Sequence, residues 1–366
     1  MPYLRNNGMK YKEEEIMKMM RVSVLLAVVI LTGAVLSGCS KGGDGGTLNL
    51  FMWTEYIPDS VIEGFEKETG IDVQMQTYSN NEEMLAKVNG SSEGTYDIVC
   101  PSDYMVENMI SQGLLLELDQ AKLSNIGNLD SAYLDKSFDP GNKYSLPYLG
   151  GAGIIIYNKT MVPEGADFTN YEELFKPDYE NSIVVLDDFR AIIGVTALGM
   201  GYDMNETDET KLAEIKDKLL TLKPNIKSLD SDSPKTMMIT EETAVGLFWS
   251  GEAAIALEEN ENLAVAYPKE GMYLFLDNLC ITKDAKNQEN AYKFIDYILK
   301  AEVNKEIISE FPYLNPNTAG TALMDEAYKT NPAIAIPSEE ISKGKYVQNI
   351  GKTVDLYSEI WAEFTK

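Results

Sequence analysis

Leu48-Asn49-Leu50-Phe51-Met52-Trp53, then Ser60-Val61-Ile62-Glu63-Gly64-Phe65-Glu66-Lys67-Glu68, then Ile71-Asp72-Val73-Gln74-Met75, is the stretch on which the fold turns. The outer pieces have strand length and strand composition. The middle piece reads as a helix, capped by Asp59 or Ser60 and stopped by Gly70. Asn81-Glu82-Glu83-Met84-Leu85-Ala86-Lys87-Val88 is a second helix and Tyr96-Asp97-Ile98-Val99-Cys100 a third strand, followed by an amphipathic stretch from Tyr104 to Gln112. Strand, helix, strand, helix, strand predicts a parallel sheet with right-handed crossovers. The fold class is therefore α/β.

Further along, a second α/β unit starts near Gly153-Ile154-Ile155-Ile156-Tyr157-Asn158, with strands expected over 182–186 and 244–249 and a helix over 210–222. The apolar run over 272–281 reads as a strand returning to the first unit. Its successor, 287–299, is an amphipathic helix with Ala291, Phe294, Ile295, Tyr297 and Ile298 on or near one face. The expected division is two lobes, 47–152 plus 276–322 and 153–275 plus 323–366, with a hinge and a cleft between them. The chain is long enough for two such cores.

At the N-terminus, Arg21 leads into Val22-Ser23-Val24-Leu25-Leu26-Ala27-Val28-Val29-Ile30-Leu31 and on to Val35 without a charge. A run of about fifteen residues is shorter than the ~20 of a transmembrane helix and right for a signal-peptide core. Leu36-Ser37-Gly38-Cys39 follows, then the polar Ser40-Lys41-Gly42-Gly43-Asp44-Gly45-Gly46. This resembles the lipobox of bacterial lipoproteins. It implies that 1–38 is removed, that Cys39 carries the lipid (palmitate or a similar acyl group) as the new N-terminus, and that 39–46 is a flexible tether to the outer face of the membrane. Residues 1–20 are long and mixed in charge for a signal, with Glu13-Glu14-Glu15 among them, so Met17, Met19 and Met20 are alternative starts.

Composition removes several functions. The chain has no histidine, and beyond Cys39 its only cysteines are Cys100 and Cys280. Both sit in apolar runs and read as buried free thiols rather than a disulfide. Ser-His-Asp and Cys-His catalysis and the usual zinc sites are excluded. A formal charge of −27, from 58 acidic against 31 basic side chains, makes nucleic acid an improbable partner and favours a cationic one. No catalytic residue, metal or cofactor is expected, and a monomer suffices.

Ligands of open α/β sheets bind at the carboxyl ends of strands. There the chain places Trp53-Thr54-Glu55-Tyr56, Pro101-Ser102-Asp103-Tyr104, Leu186-Asp187-Asp188 and Phe248-Trp249-Ser250-Gly251-Glu252, while the returning strand carries Phe275 and Asp277. Aromatic faces with carboxylates suit an organic cation on a hydrophobic stem, since each ammonium over a ring gains roughly 0.5–2 kcal/mol and pairs with a carboxylate besides. A polyamine satisfies both demands. Plainer readings exist: a strand-end tryptophan is often core, and an aspartate before a helix often a cap. Asp187 is expected to cap and Asp188 to serve the site; Asp277, inside an apolar strand, needs a partner.

These residues, with Phe65-Glu66-Lys67-Glu68-Thr69-Gly70-Ile71 and Tyr267-Pro268-Lys269-Glu270-Gly271, resemble the periplasmic spermidine/putrescine-binding proteins of ABC importers, in register from about Leu48 to beyond Asn317. The resemblance implies a two-lobe periplasmic-binding-protein fold and delivery of a polyamine to an ABC permease. It also implies that Trp53, Trp249 and Phe275 are walls of an aromatic box and that Tyr56, Tyr104 and Tyr313 are its polar-edged aromatics. Thr54 and Ser102 become hydrogen-bonding neighbours, and Glu55, Asp188 and Asp277 amine-binding carboxylates. Two positions depart from the pattern. Ala191 stands where relatives usually carry glutamate, and Phe275 where tryptophan is common. Glu252, three residues after Trp249, is the candidate replacement for the lost charge. Rival readings are a binding protein for another organic cation or an amino-acid derivative, a sensor, and an extracellular glycosidase built on paired carboxylates.

Overall fold

A computed structural model describes residues 45–366. The export signal, Cys39 and the tether up to residue 44 lie outside the described residues. Gly45 and Gly46 depart from the expected tether, because both are bonded to the body of the protein. The Gly45 carbonyl accepts from Asn290 Nδ2 at 3.0 Å and the Gly46 carbonyl from the Asp72 amide at 2.9 Å.

Ten strands form one curled sheet: β1 (Thr47–Trp53), β2 (Asp72–Tyr78), β3 (Ile98–Val99), β4 (Ser145–Asn158), β5 (Ile183–Val185), β6 (Ile226–Leu229), β7 (Val245–Trp249), β8 (Leu263–Ala266), β9 (Tyr273–Ile281) and β10 (Lys345–Tyr346). Their order is β2-β1-β3-β9-β4-β7-β5-β6, with β10 beside β9 and β8 beside β4. Strand β1 runs parallel to β2 and β3, and β5 parallel to β6 and β7. Between these two parallel sets lies the antiparallel pair β4 and β9, paired from Ser145↔Cys280 to Gly153↔Tyr273 with a one-residue register shift between Pro147 and Leu149. The two parallel sets are therefore joined through the long strands β4 and β9.

Strand β4 begins at Ser145, eight residues before the start expected at Gly153. Glycines weaken a strand reading, yet here they are a packing requirement. A Cβ on Gly151 would lie 2.6 Å from Ser250 Oγ and 2.9 Å from the Phe275 ring.

The helices used below are α1 (Asp59–Thr69), α2 (Asn81–Gly90), α3 (Asp103–Ser111), α4 (Phe189–Gly199), α5 (Glu209–Leu222), α6 (Lys235–Ile239), α7 (Ser250–Glu259), α8 (Gln288–Ile298), α9 (Ala301–Glu310) and α10 (Thr353–Phe364). On α8 the predicted apolar face is buried at Ala291, Phe294, Ile295 and Ile298, and Phe294 meets Phe65 of α1 edge-on, centroids 5.0 Å apart. Helix α1 ends as predicted, on left-handed Gly70. Its start differs. Pro58 occupies the cap position and Asp59 lies in the first turn, where a carboxylate favours the positive end of the helix dipole. Cys100 and Cys280 are buried free thiols, as the apolar runs around them predict.

Candidate functional site

Loops leaving the carboxyl ends of β1, β2, β3, β5, β6 and β7 converge on one cleft, while β9 crosses its floor. The cleft encloses about 560 Å³, part of it open to solvent. Along β9 the side chains of Tyr273, Phe275 and Asp277 fall on one face through the two-residue repeat of a strand, and all three line the cleft.

Asp277 is a deeply placed charge there, 4 % exposed. Its Oδ2 accepts from the Tyr56 hydroxyl at 2.7 Å and its Oδ1 from the Ser102 hydroxyl at 2.5 Å. Ser102 is held in turn by Asn81, whose Nδ2 donates to Ser102 Oγ at 3.0 Å and whose Oδ1 accepts from the Ser102 amide at 3.1 Å. Burial pushes the Asp277 carboxyl up to about 7, and the two hydroxyl donors offset only part of that. An ammonium brought beside it would restore the ionised form.

Aromatic rings wall the space above this carboxyl. Trp249 meets Phe275 at 5.2 Å and Tyr273 at 5.4 Å, both edge-on. Tyr313 packs edge-on to Tyr56 at 5.2 Å and near Phe275 at 6.0 Å. It fits because residue 251 is glycine: a Cβ there would stand 2.6 Å from the Tyr313 ring. On the other side Trp53 packs on Tyr78, centroids 4.6 Å apart, and both rings donate to the Cys100 carbonyl, Trp53 Nε1 at 2.8 Å and the Tyr78 hydroxyl at 2.6 Å. Their polar edges are thereby satisfied, leaving ring surface for contact.

Two further carboxylates, Glu55 and Glu252, are joined by a cation the sequence reading did not include. Lys235 Nζ lies 2.7 Å from Glu252 Oε2 and 3.0 Å from Glu55 Oε2. Burial pushes the Glu252 carboxyl up to about 7, and contact with Lys235 reverses only part of this. For Lys235 the balance is opposite: burial pulls the ammonium down, but its bond to Glu252, and then Glu55, holds it above the usual lysine range.

Of the residues singled out from sequence, Trp53, Thr54, Glu55, Tyr56, Ser102, Asp188, Trp249, Glu252, Phe275, Asp277 and Tyr313 line this cleft. Tyr104 does not. It is the second residue of α3, its hydroxyl donates to Glu82 Oε1 at 3.0 Å, and its ring lies 5.4 Å from the Arg190 guanidinium. Those contacts engage its hydroxyl and its ring. The roles divided between Asp187 and Asp188 are also corrected. Asp188 itself caps α4, accepting from the Ala191 amide at 3.0 Å, and lines the cleft as well, whereas Asp187 is exposed. Burial raises the Asp188 carboxyl and the cap bond opposes it.

Sequence reading missed Tyr78, Ser79, Asn81, Ser231, Asp232 and Tyr273. A signal was present for Asn81 and Tyr273, which lie in segments read as a helix and a strand. Tyr78 closes β2, which was expected to stop at Met75, and Ser79 follows it, while Ser231 and Asp232 follow β6, a short strand not read at all. Among the described residues no group of three or more His, Cys, Asp or Glu is gathered to hold a metal ion, and no helix is long and apolar enough to cross a membrane.

Comparison with known proteins gives a concordant picture. The profile of the family described as bacterial extracellular solute-binding protein matches residues 60–336. The spermidine/putrescine-binding periplasmic protein of Salmonella typhimurium is 35 % identical over 335 residues, covering 91 % of this chain and 96 % of the relative. Its counterpart from Haemophilus influenzae, spermidine/putrescine-binding periplasmic protein 1, is 37 % identical over 319 residues, covering 87 % and 88 %. Among solved structures, a putative spermidine/putrescine ABC transporter protein from Listeria monocytogenes superposes with a TM-score of 0.84 at 38 % identity, covering 87 % of this chain and 98 % of that one. With curled sheet, strand-end cleft and family profile in agreement, the chain belongs to the bacterial extracellular solute-binding proteins.

Proposed function

We propose that this protein captures a polyamine, spermidine or putrescine, in the cleft and delivers it to an ABC permease at the extracytoplasmic face of the membrane. One observation carries the reading: a buried carboxyl, Asp277, sits on the floor of a box of aromatic rings with two hydroxyls holding its oxygens in place. Methylenes would lie on Trp53, Trp249, Phe275 and Tyr313 while ammoniums meet Asp277 and Asp188. No covalent step is required of any side chain, and relatives of this kind are solute-binding transport components rather than enzymes.

The proposed lobes are 47–152 with 276–322 and 153–275 with 323–366, bending about the β4 and β9 crossing. Asp277 and Tyr56 belong to the first, Trp249 and Asp188 to the second. A ligand touching both favours the closed arrangement by its differential affinity, which is the only free energy available to shift that equilibrium. Trp53 and Trp249 line the cleft, two of the three tryptophans in the chain. Titration with spermidine and putrescine is therefore expected to give a saturable change in tryptophan fluorescence. A flat response to both at millimolar concentration defeats the polyamine reading.

Attachment is proposed through lipid on Cys39. Metabolic labelling with a palmitate analogue is expected to mark the wild-type protein and not the Cys39→Ala variant, which would leave the membrane fraction. Equal labelling of the two would remove the anchor from this account.

A further inference from the structure

Lys235 is bonded to two of the carboxylates that line the cleft. It opens α6 after the loop Asp230-Ser231-Asp232-Ser233-Pro234, and its ammonium donates to Glu252 Oε2 at 2.7 Å, Glu55 Oε2 at 3.0 Å and Ser233 Oγ at 3.3 Å. The three charged side chains are 17 % (Lys235), 3 % (Glu252) and 43 % (Glu55) exposed, so the pair is driest on the Glu252 side. Glu252 opens into the cleft from α7, on the same side as Lys235. Glu55 comes from the opposite side, directly after β1 and Trp53, so the contact spans the cleft. Glu55 also holds φ at +49°, a left-handed backbone that non-glycine residues seldom adopt without local compensation. Its carboxylate in that conformation is the one bonded to Lys235.

Charge accounting gives the consequence. The carboxylates lining the cleft are Glu55, Asp188, Asp232, Glu252 and Asp277. Lys235 engages two of them. Asp232 is exposed at the rim and accepts from the Ser79 hydroxyl at 2.9 Å. Asp277 and Asp188 remain for the charges of a guest. We propose that Lys235 is a resident cation that replaces one ligand amine, setting the cleft for a linear diamine in preference to a triamine. The inference rests on the polyamine reading above and adds to it which length is preferred. A third ammonium has to enter beside Lys235, where like charge opposes it, or displace it from a doubly bonded place. Specificity of this kind comes from a repulsive element built into the site.

Lys235→Met keeps a long stem and removes the charge; Lys235→Arg keeps the charge. Isothermal calorimetry of each purified protein with putrescine and with spermidine tests the proposal. The wild type is expected to bind putrescine more tightly. Lys235→Met is expected to shift the affinity ratio by about tenfold or more towards spermidine, and Lys235→Arg to keep the wild-type ratio within about threefold. Should Lys235→Met fail to fold, Lys235→Gln reads the same ratio. A variant that weakens both ligands equally, or leaves the ratio unchanged, reduces Lys235 to a structural ion pair and overturns the proposal. A wild type that binds neither ligand overturns the polyamine reading itself, and that result is visible before any variant is made.

Discussion

Asp277→Asn is expected to weaken polyamine binding by about a hundredfold to a thousandfold while leaving the protein folded and at least as stable as the wild type at pH 8. Removing one partner of a buried, hydrogen-bonded charge pair typically costs about 3–4 kcal/mol of binding, which is that fold-change. Asparagine keeps the shape of the side chain and still offers an oxygen, and the Tyr56 and Ser102 hydroxyls can rotate to suit an amide, so packing around β9 is largely preserved. Only the charge is lost. In the empty cleft that charge is a liability, because burial already pushes the carboxyl up to about 7. Calorimetry with the preferred polyamine, beside a thermal melt of the free protein, separates the two effects. Affinity within threefold of wild type would mean that the aromatic walls carry binding without this carboxylate.

Much of this arrangement is legible in the sequence, for a reason that also explains the gaps. Parallel strands with long apolar runs announce their own carboxyl ends, and β1 and β7 deliver Trp53 to Tyr56 and Trp249 to Glu252 where the rule for open sheets puts them. Asp277 was legible because a carboxylate inside an apolar strand requires a partner. Lys235 was not. Strand β6 is four residues of half-exposed sequence, Ile226–Leu229, whose neighbour β5 supplies most of its support, so no periodicity marks the loop that follows it. Tyr104 failed for a different reason. Sequence places it beside Ser102, but a helix start turns successive side chains about 100° apart, and this one points to Glu82 and Arg190 instead. Asp188 shows that capping and site duty are not exclusive: one oxygen serves the Ala191 amide while the residue still lines the cleft.

Polyamine affinity is expected to fall about tenfold between pH 8 and pH 6, while the ligand-free protein becomes more stable over the same interval. The sign follows from Asp277. Its folded-state pKa of about 7 stands above the ordinary aspartate value of about 3.9, so between those values the folded state holds a proton that the unfolded chain does not. That contribution to stability is fully present below about 4 and is lost as pH rises through 7. A cationic guest binds the ionised form, so its affinity runs the other way and drops by up to tenfold per pH unit once Asp277 is protonated. Glu252 is also pushed up to about 7, but Lys235 already holds it. As pH falls below 7, log Kd is expected to rise by up to one per pH unit through Asp277, and more steeply where Asp188, whose carboxyl burial also raises, takes up a proton as well. Calorimetry in buffers of different ionisation enthalpy counts the protons directly. An affinity flat from pH 8 to pH 6 would place the guest's charge away from Asp277.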